Sequence, residues 1–184
     1  MSIQVLGDVV IGLALVVWIC YRQMTWRPLA IGRMWRLPII LGIVGVVMLT
    51  TTTKTAALTG VDIAVLLIEL VVSLGIGAIM GSLATIRPMS QQAIAQYNSA
   101  QADDRRGPSI VTMETRTGWF GAALWIVMIL VRVGIDFFAT EAGSVIATST
   151  GVILIMIAAN RIARVGILAN RHEKLAQASM VRQY

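Results

Sequence analysis

Histidine and cysteine are nearly missing from this chain: His172 and Cys20 stand alone among 184 residues. One thiol cannot run an intramolecular dithiol relay, so Cys20 reads as a small buried hydrophobe. His172 lies beside Glu173 and Lys174, where a solvated surface residue is expected. No apolar run carries a histidine, and neither Cys-x-x-Cys-His nor Glu-x-x-His occurs. Haem attachment and a buried metal centre are therefore poorly supplied, and neither a cofactor nor a metal is expected. Charge is scarce as well: 13% of residues are charged against 57% hydrophobic, with a mean hydropathy of +0.80. That balance excludes an ordinary soluble domain. Gly75-Ile76-Gly77 has the outline of a nucleotide loop, but it falls inside an apolar run with no strand before it.

What the chain does have is long apolar runs, at about residues 3–21, 38–53, 61–86, 119–139 and 144–163. A helix rises about 1.5 Å per residue, so about 20 apolar residues cross a hydrocarbon core of about 30 Å. The expected fold is all-α: one membrane bundle of five transmembrane helices, with a loop over 87–117 and a tail over 164–184. No segment outside the runs is large enough for a separate soluble core. A pI near 10.4 could indicate nucleic acid, but the basic residues flank helices instead of covering a soluble face. They suit anionic headgroups, so the expected partner is the lipid bilayer and no nucleic acid.

Orientation follows from counting. Arg22, Arg27, Arg33 and Arg36 separate runs one and two, and Arg87, Arg105, Arg106 and Arg116 separate runs three and four. Arg161, Arg164, Arg171, Lys174 and Arg182 close the chain, so thirteen of fifteen basic residues fall on one side. Lys54 is on the other side, and Arg132 is within a run. The positive-inside rule then places the N-terminus outside and the C-terminus in the cytoplasm. The first run lacks a basic n-region, so it is expected to be retained and not cleaved as a signal peptide. Trp18, Tyr21, Trp26, Trp35 and Trp119 all fall near the expected inner interface, where amphipathic rings anchor; Trp125 lies deeper, as a packing residue.

Local signals refine the runs. Pro28 makes 24–35 a turn or a short interfacial helix, and Pro38 suits the first turn of the second span. Thr50–Thr53 weaken the outer end of that span, yet their hydroxyls can bond carbonyls one turn earlier, which allows helix to about Ala57. Arg87-Pro88 ends the third span, while Gly118 and Gly143 open the fourth and fifth. In the cytoplasmic segment, Gln91–Gln101 suits a helix and Asp103–Pro108 a turn. Ser109–Arg116 alternates like a strand, giving either a small hairpin or a frayed helix-turn-strand.

The chemistry lies inside the membrane. Glu69 in the third span and Arg132 in the fourth both fall roughly 10–12 Å below the outer surface at the helical rise. Matching depth on antiparallel neighbours permits an ion pair, and Asp136 shares the Arg132 face one turn on. Asp8 and Asp62 also belong to the outer half, giving an expected cluster of four carboxylates around one arginine. Glu69, Ser73, Gly77, Gly81 and Thr85 form one ridge of small residues below the carboxylate, which directs Glu69 into the bundle. Gly143, Ala147 and Gly151 form a similar ridge on the fifth span, and Gly42 with Gly45 thins the second. An unpaired charge at this depth costs at least about 2.5–3.5 kcal/mol, so the cluster is either an ion pair orienting helices or an outward polar pocket.

The order of features resembles the CcdC-like family of small bacterial integral membrane proteins, whose name is linked to cytochrome c biogenesis. The residues that carry it are Arg22–Pro28, Leu37-Pro38, Glu69 with Gly77, Val131-Arg132 and Asn160-Arg161-Ile162, together with the loop Tyr97–Arg116. It covers about residues 10–175. The resemblance implies a multi-pass protein of the bacterial plasma membrane; it implies no activity. Three function classes follow from the residues. The first is a non-enzymatic accessory or assembly protein that packs against another membrane protein or a second copy of itself. The second is a small transporter or ion-coupled subunit using Glu69, Arg132 and Asp136. The third is a lipid-acting enzyme drawing on Asp8 and Asp62, which no surrounding motif supports.

Overall fold

The computed structural model describes residues 10, 14, 17–18, 20–53, 59–101, 111–144 and 149–181. Most of the first apolar run, and with it Asp8, lies outside them, as do Lys54, the turn over 103–108 and Ala147. Four helical segments are long and apolar enough to cross a membrane: Ile31–Thr51, Gly60–Leu83, Gly118–Glu141 and Thr150–Leu175. The chain divides into two units, Met1–Ala30 with Leu83–Ala123 and Ile31–Ser82 with Leu124–Tyr184.

The described chain is mostly helical, as expected, and the first unit adds a small sheet to the all-α reading. It contains a three-stranded antiparallel sheet of β1 (Arg27–Pro28), β2 (Thr85–Pro88) and β3 (Met113–Arg116), with β3 in the centre. The third apolar run was expected to stay helical to Ile86, but its helix stops at Leu83. Arg87 precedes proline, which disfavours the α region, and the β-branched Thr85 and Ile86 pair with Arg116 and Thr115 instead. Flanking bonds extend the ladder, from Leu29 N to Met113 O at 2.9 Å and from Met89 N to Thr112 O at 2.8 Å. Leu29, Ala84, Val111, Thr115 and Thr117 are buried around it. Between the strands, Gln91–Gln101 is helical, as its alanine-rich composition predicts.

Helices build the second unit. A short α1 (Ile31–Met34) leads into α2 (Arg36–Thr53), whose threonine end is held as expected: Thr50 Oγ donates to Val47 O at 2.8 Å and Thr51 Oγ to Met48 O at 2.7 Å. Then come α3 (Gly60–Leu83) and, beyond α4 (Gln91–Gln101) of the first unit, α5 (Gly118–Glu141) and α6 (Thr150–Val181). The fifth run was expected to begin at Ser144 and end near Ala163. Its helix begins at Thr150, where Ser149 Oγ accepts from Val152 N at 3.4 Å, and it continues through the expected tail. Val165 and Leu168 are buried, so this extension packs and is not a solvated appendage.

Two close approaches set the packing. A Cβ on Gly45 would lie 2.9 Å from Gly151 O and 2.8 Å from Ile155, so α2 and α6 meet backbone to backbone. A Cβ on Gly77 would collide with the backbone carbonyl of Asn160, and one on Gly81 would lie 2.9 Å from Arg164 O. The α3 ridge therefore seats on α6, and α2 seats on an earlier turn of the same helix. The outward sides of α2, α3 and α5 carry exposed Ile43, Val47, Leu67, Val71, Leu130 and Phe137, the surface lipid requires.

Candidate functional site: an intramembrane ion triad beside a cavity

Glu69 is placed by the α3 ridge. Ser73 and Gly77 follow it at four-residue spacing, and their close seat on α6 turns the carboxylate inward, leaving it 2% exposed. Arg132 Nη1 of α5 donates to Glu69 Oε2. One turn on, Asp136 Oδ2 lies 3.1 Å from Arg132 Nε. The guanidinium is thus bracketed by carboxylates from two helices. Glu69 Oε1 and Asp136 Oδ1 are buried and have no hydrogen-bond partner.

Asp62 does not join this triad. It sits in the first turn of α3, seven residues from Glu69, or roughly 10 Å along the axis. There Asp62 Oδ2 accepts from Thr59 N at 2.8 Å and from Thr59 Oγ at 2.8 Å, while Asp62 N donates to Thr59 Oγ at 3.2 Å. That reciprocal pattern is a capping box. Its other oxygen, Oδ1, accepts from Ser144 Oγ at 2.6 Å, and the residue is fully buried. The expected four-carboxylate cluster is therefore two carboxylates among the described residues, because Asp62 is consumed as a helix cap and Asp8 lies outside them.

Gly143 is likewise removed from its expected ridge. It has φ +82°, and the bonds Gly143 N to Thr140 O (3.1 Å) and Ser144 N to Ala139 O (2.9 Å) form a Schellman ending of α5. Of the two described residues of that proposed ridge, Gly151 makes a close contact, against Leu49 N and Gly45 O of α2. The Schellman turn also delivers Ser144 to Asp62.

The packing roles of two residues, Asn160 and Arg171, escaped the sequence reading. Asn160, buried in α6, donates from Nδ2 to Ser73 O at 3.1 Å. Arg171 Nη1 donates to Gly81 O (3.0 Å) and Ser82 O (2.7 Å), satisfying carbonyls left open at the C-terminus of α3. The signal for Asn160 was its position as the first polar side chain after an unbroken apolar stretch; Arg171 carried no local signal.

Beside the triad is a partly open cavity of about 240 Å³ lined by α3, α5 and α6. Its surface is almost wholly apolar, and Glu69, Ser73 and Arg132 line it together with Trp125, Met128, Met156 and Ile157. No family model, curated protein or solved structure matches the chain. Among the described residues no group of His, Cys, Asp and Glu is arranged to hold a metal.

Proposed function

We propose that this is a non-enzymatic accessory or assembly protein of a bacterial plasma membrane, acting through helix packing with a membrane partner or a second copy. Five spans with the N-terminus outside and the C-terminus cytoplasmic suit this reading. Strand β3 bonds both β1 and β2, so the loop after the first run and the loop after α3 share one side, the side rich in arginine. The resemblance to the CcdC-like family agrees with a multi-pass bacterial protein.

One observation carries the assembly role. Gly75 of α3 would find nothing within 4 Å of an added Cβ, although Gly77 two residues on is tightly seated. Gly75, Ala78 and Ser82 recur at three and four residues, giving α3 a second small-residue face on which, among the described residues, Gly75 and Ser82 are exposed and Ala78 is half-buried. In lipid, such faces bring helices together, whereas large side chains serve contact with acyl chains. Gly75→Leu should leave thermal stability unchanged and abolish co-purification of a stoichiometric partner, or self-association, from mild detergent. A parent protein that purifies as a lone monomer, or a variant that keeps its partner, contradicts the reading.

The cavity favours a second reading, a small ion- or proton-coupled transporter subunit. Flux in liposomes abolished by Glu69→Gln supports that; flux absent from the parent removes it.

A further inference from the structure

We infer that the cavity between α3, α5 and α6 binds a small amphipathic amine, with its ammonium on Glu69 and its apolar body among the side chains of the cavity. The inference needs the cavity to be a binding site but does not need transport. Charge comes first. Among the described residues, two carboxyl groups face one guanidinium, and each carboxyl keeps one buried oxygen without a hydrogen-bond partner. Buried acceptors in this state cost free energy that a donor would recover, and a cationic donor also offsets the excess acidic group.

Shape comes second. Glu69 lines the cavity while being 2% exposed, so an ammonium that reaches its carboxylate from there is already out of water. The volume of about 240 Å³ is several times the roughly 30 Å³ share of one water, and walls of Met128, Ile129, Met156 and Ile157 do not hold water well. A hydrated metal ion or a bare proton would leave this apolar space unfilled. Trp125 adds an aromatic wall, a surface that attracts cations. No other charged residue of α3 or α6 lines the cavity; Arg132 is the cation present, already engaged with Glu69 and Asp136. An anion or a neutral hydrocarbon would leave the carboxylate of Glu69 without the donor it lacks.

Lipid and free amines share the ammonium chemistry. Glu69 lies nine residues from the start of α3, roughly 13 Å along the axis, too deep for a lipid headgroup. The occupant is a free amine.

The test uses the full chain in phosphatidylcholine nanodiscs, titrated with phenethylammonium and with phenethyl alcohol, read by tryptophan fluorescence. The ammonium should give a saturable change that is lost in Trp125→Phe, and the alcohol should bind about tenfold more weakly or worse. Glu69→Gln should weaken ammonium binding by about tenfold or more. Should that variant fail to fold, the alcohol comparison on the parent and Asp136→Asn, also expected to weaken binding, decide the matter. Equal binding of ammonium and alcohol, no saturable response from the parent, or unchanged binding in a folded Glu69→Gln protein each overturns the proposal. Loss of binding in nanodiscs containing phosphatidylethanolamine would assign the site to a lipid ammonium and overturn the free amine. Binding without flux would remove only the transport reading.

Discussion

Glu69 and Gly77 lie two turns apart on one helix and show what single positions can reveal. That Glu69 and Arg132 meet was legible, because helical rise converts residue counts into depth and adjacent antiparallel helices share that scale. Depth alone could not separate Asp62 from the cluster. The sequence does carry its role, since Thr59 precedes it by three residues at a helix start, the spacing of a capping box. The destination of the Gly77 ridge was not legible, because small-residue spacing says that a helix approaches and not which one. The close seat predicts a sharp contrast between neighbouring glycines. Gly77→Ala places a methyl group against the Asn160 backbone and should destabilise the protein by about 1–3 kcal/mol or more. Gly75→Ala meets no other described residue and should be neutral or slightly stabilising, as a better helix former. Melting in the same detergent compares the two directly.

Elements were legible where they are long and periodic, and obscure where they are short and paired across the chain. The strands of the small sheet contain two to four residues each, drawn from three distant loops. Only the β-branched alternation before Arg116 hinted at one of them. Their pairing rests on partners that no local window contains, including the directly opposed Arg87 and Glu114, whose side chains bond at 2.5 Å. Trp26 is held by the same strands, with the guanidinium of Arg87 at 3.7 Å and that of Arg116 at 4.8 Å from its ring centroid. An anchoring tryptophan thus also ties β1 toward β2 and β3. At the other end of α5, Gly143 was mistaken for a packing residue because its left-handed backbone is invisible in sequence. Gly143→Ala forces a Cβ into that conformation and should cost about 1–2 kcal/mol, while Gly143→Asn should cost less. Chemical denaturation of the two variants checks the order.

At the scale of the molecule, the arrangement of loops and the fate of the buried charges make one argument. Hydrogen bonds within the sheet put the residues after the first run and those on either side of α4 on a common side, and the arginine count is the ground for proposing that side as the cytoplasmic one. A topology reporter inserted after Lys54 should therefore read as external, and one fused after Tyr184 as cytoplasmic; a cytoplasmic signal at Lys54 would break the scheme. Within the membrane, the fold ties α3 to α5 through the Glu69–Arg132 pair, and the candidate site is built on it. A double-mutant cycle of Glu69→Gln and Arg132→Met, followed by unfolding in lipid bicelles, tests this pair most directly. Arg132→Met should cost about 3–5 kcal/mol by stranding a buried carboxylate, and the double variant should recover much of that loss. Strictly additive losses, or a parent-like melt for Arg132→Met, would contradict the pairing.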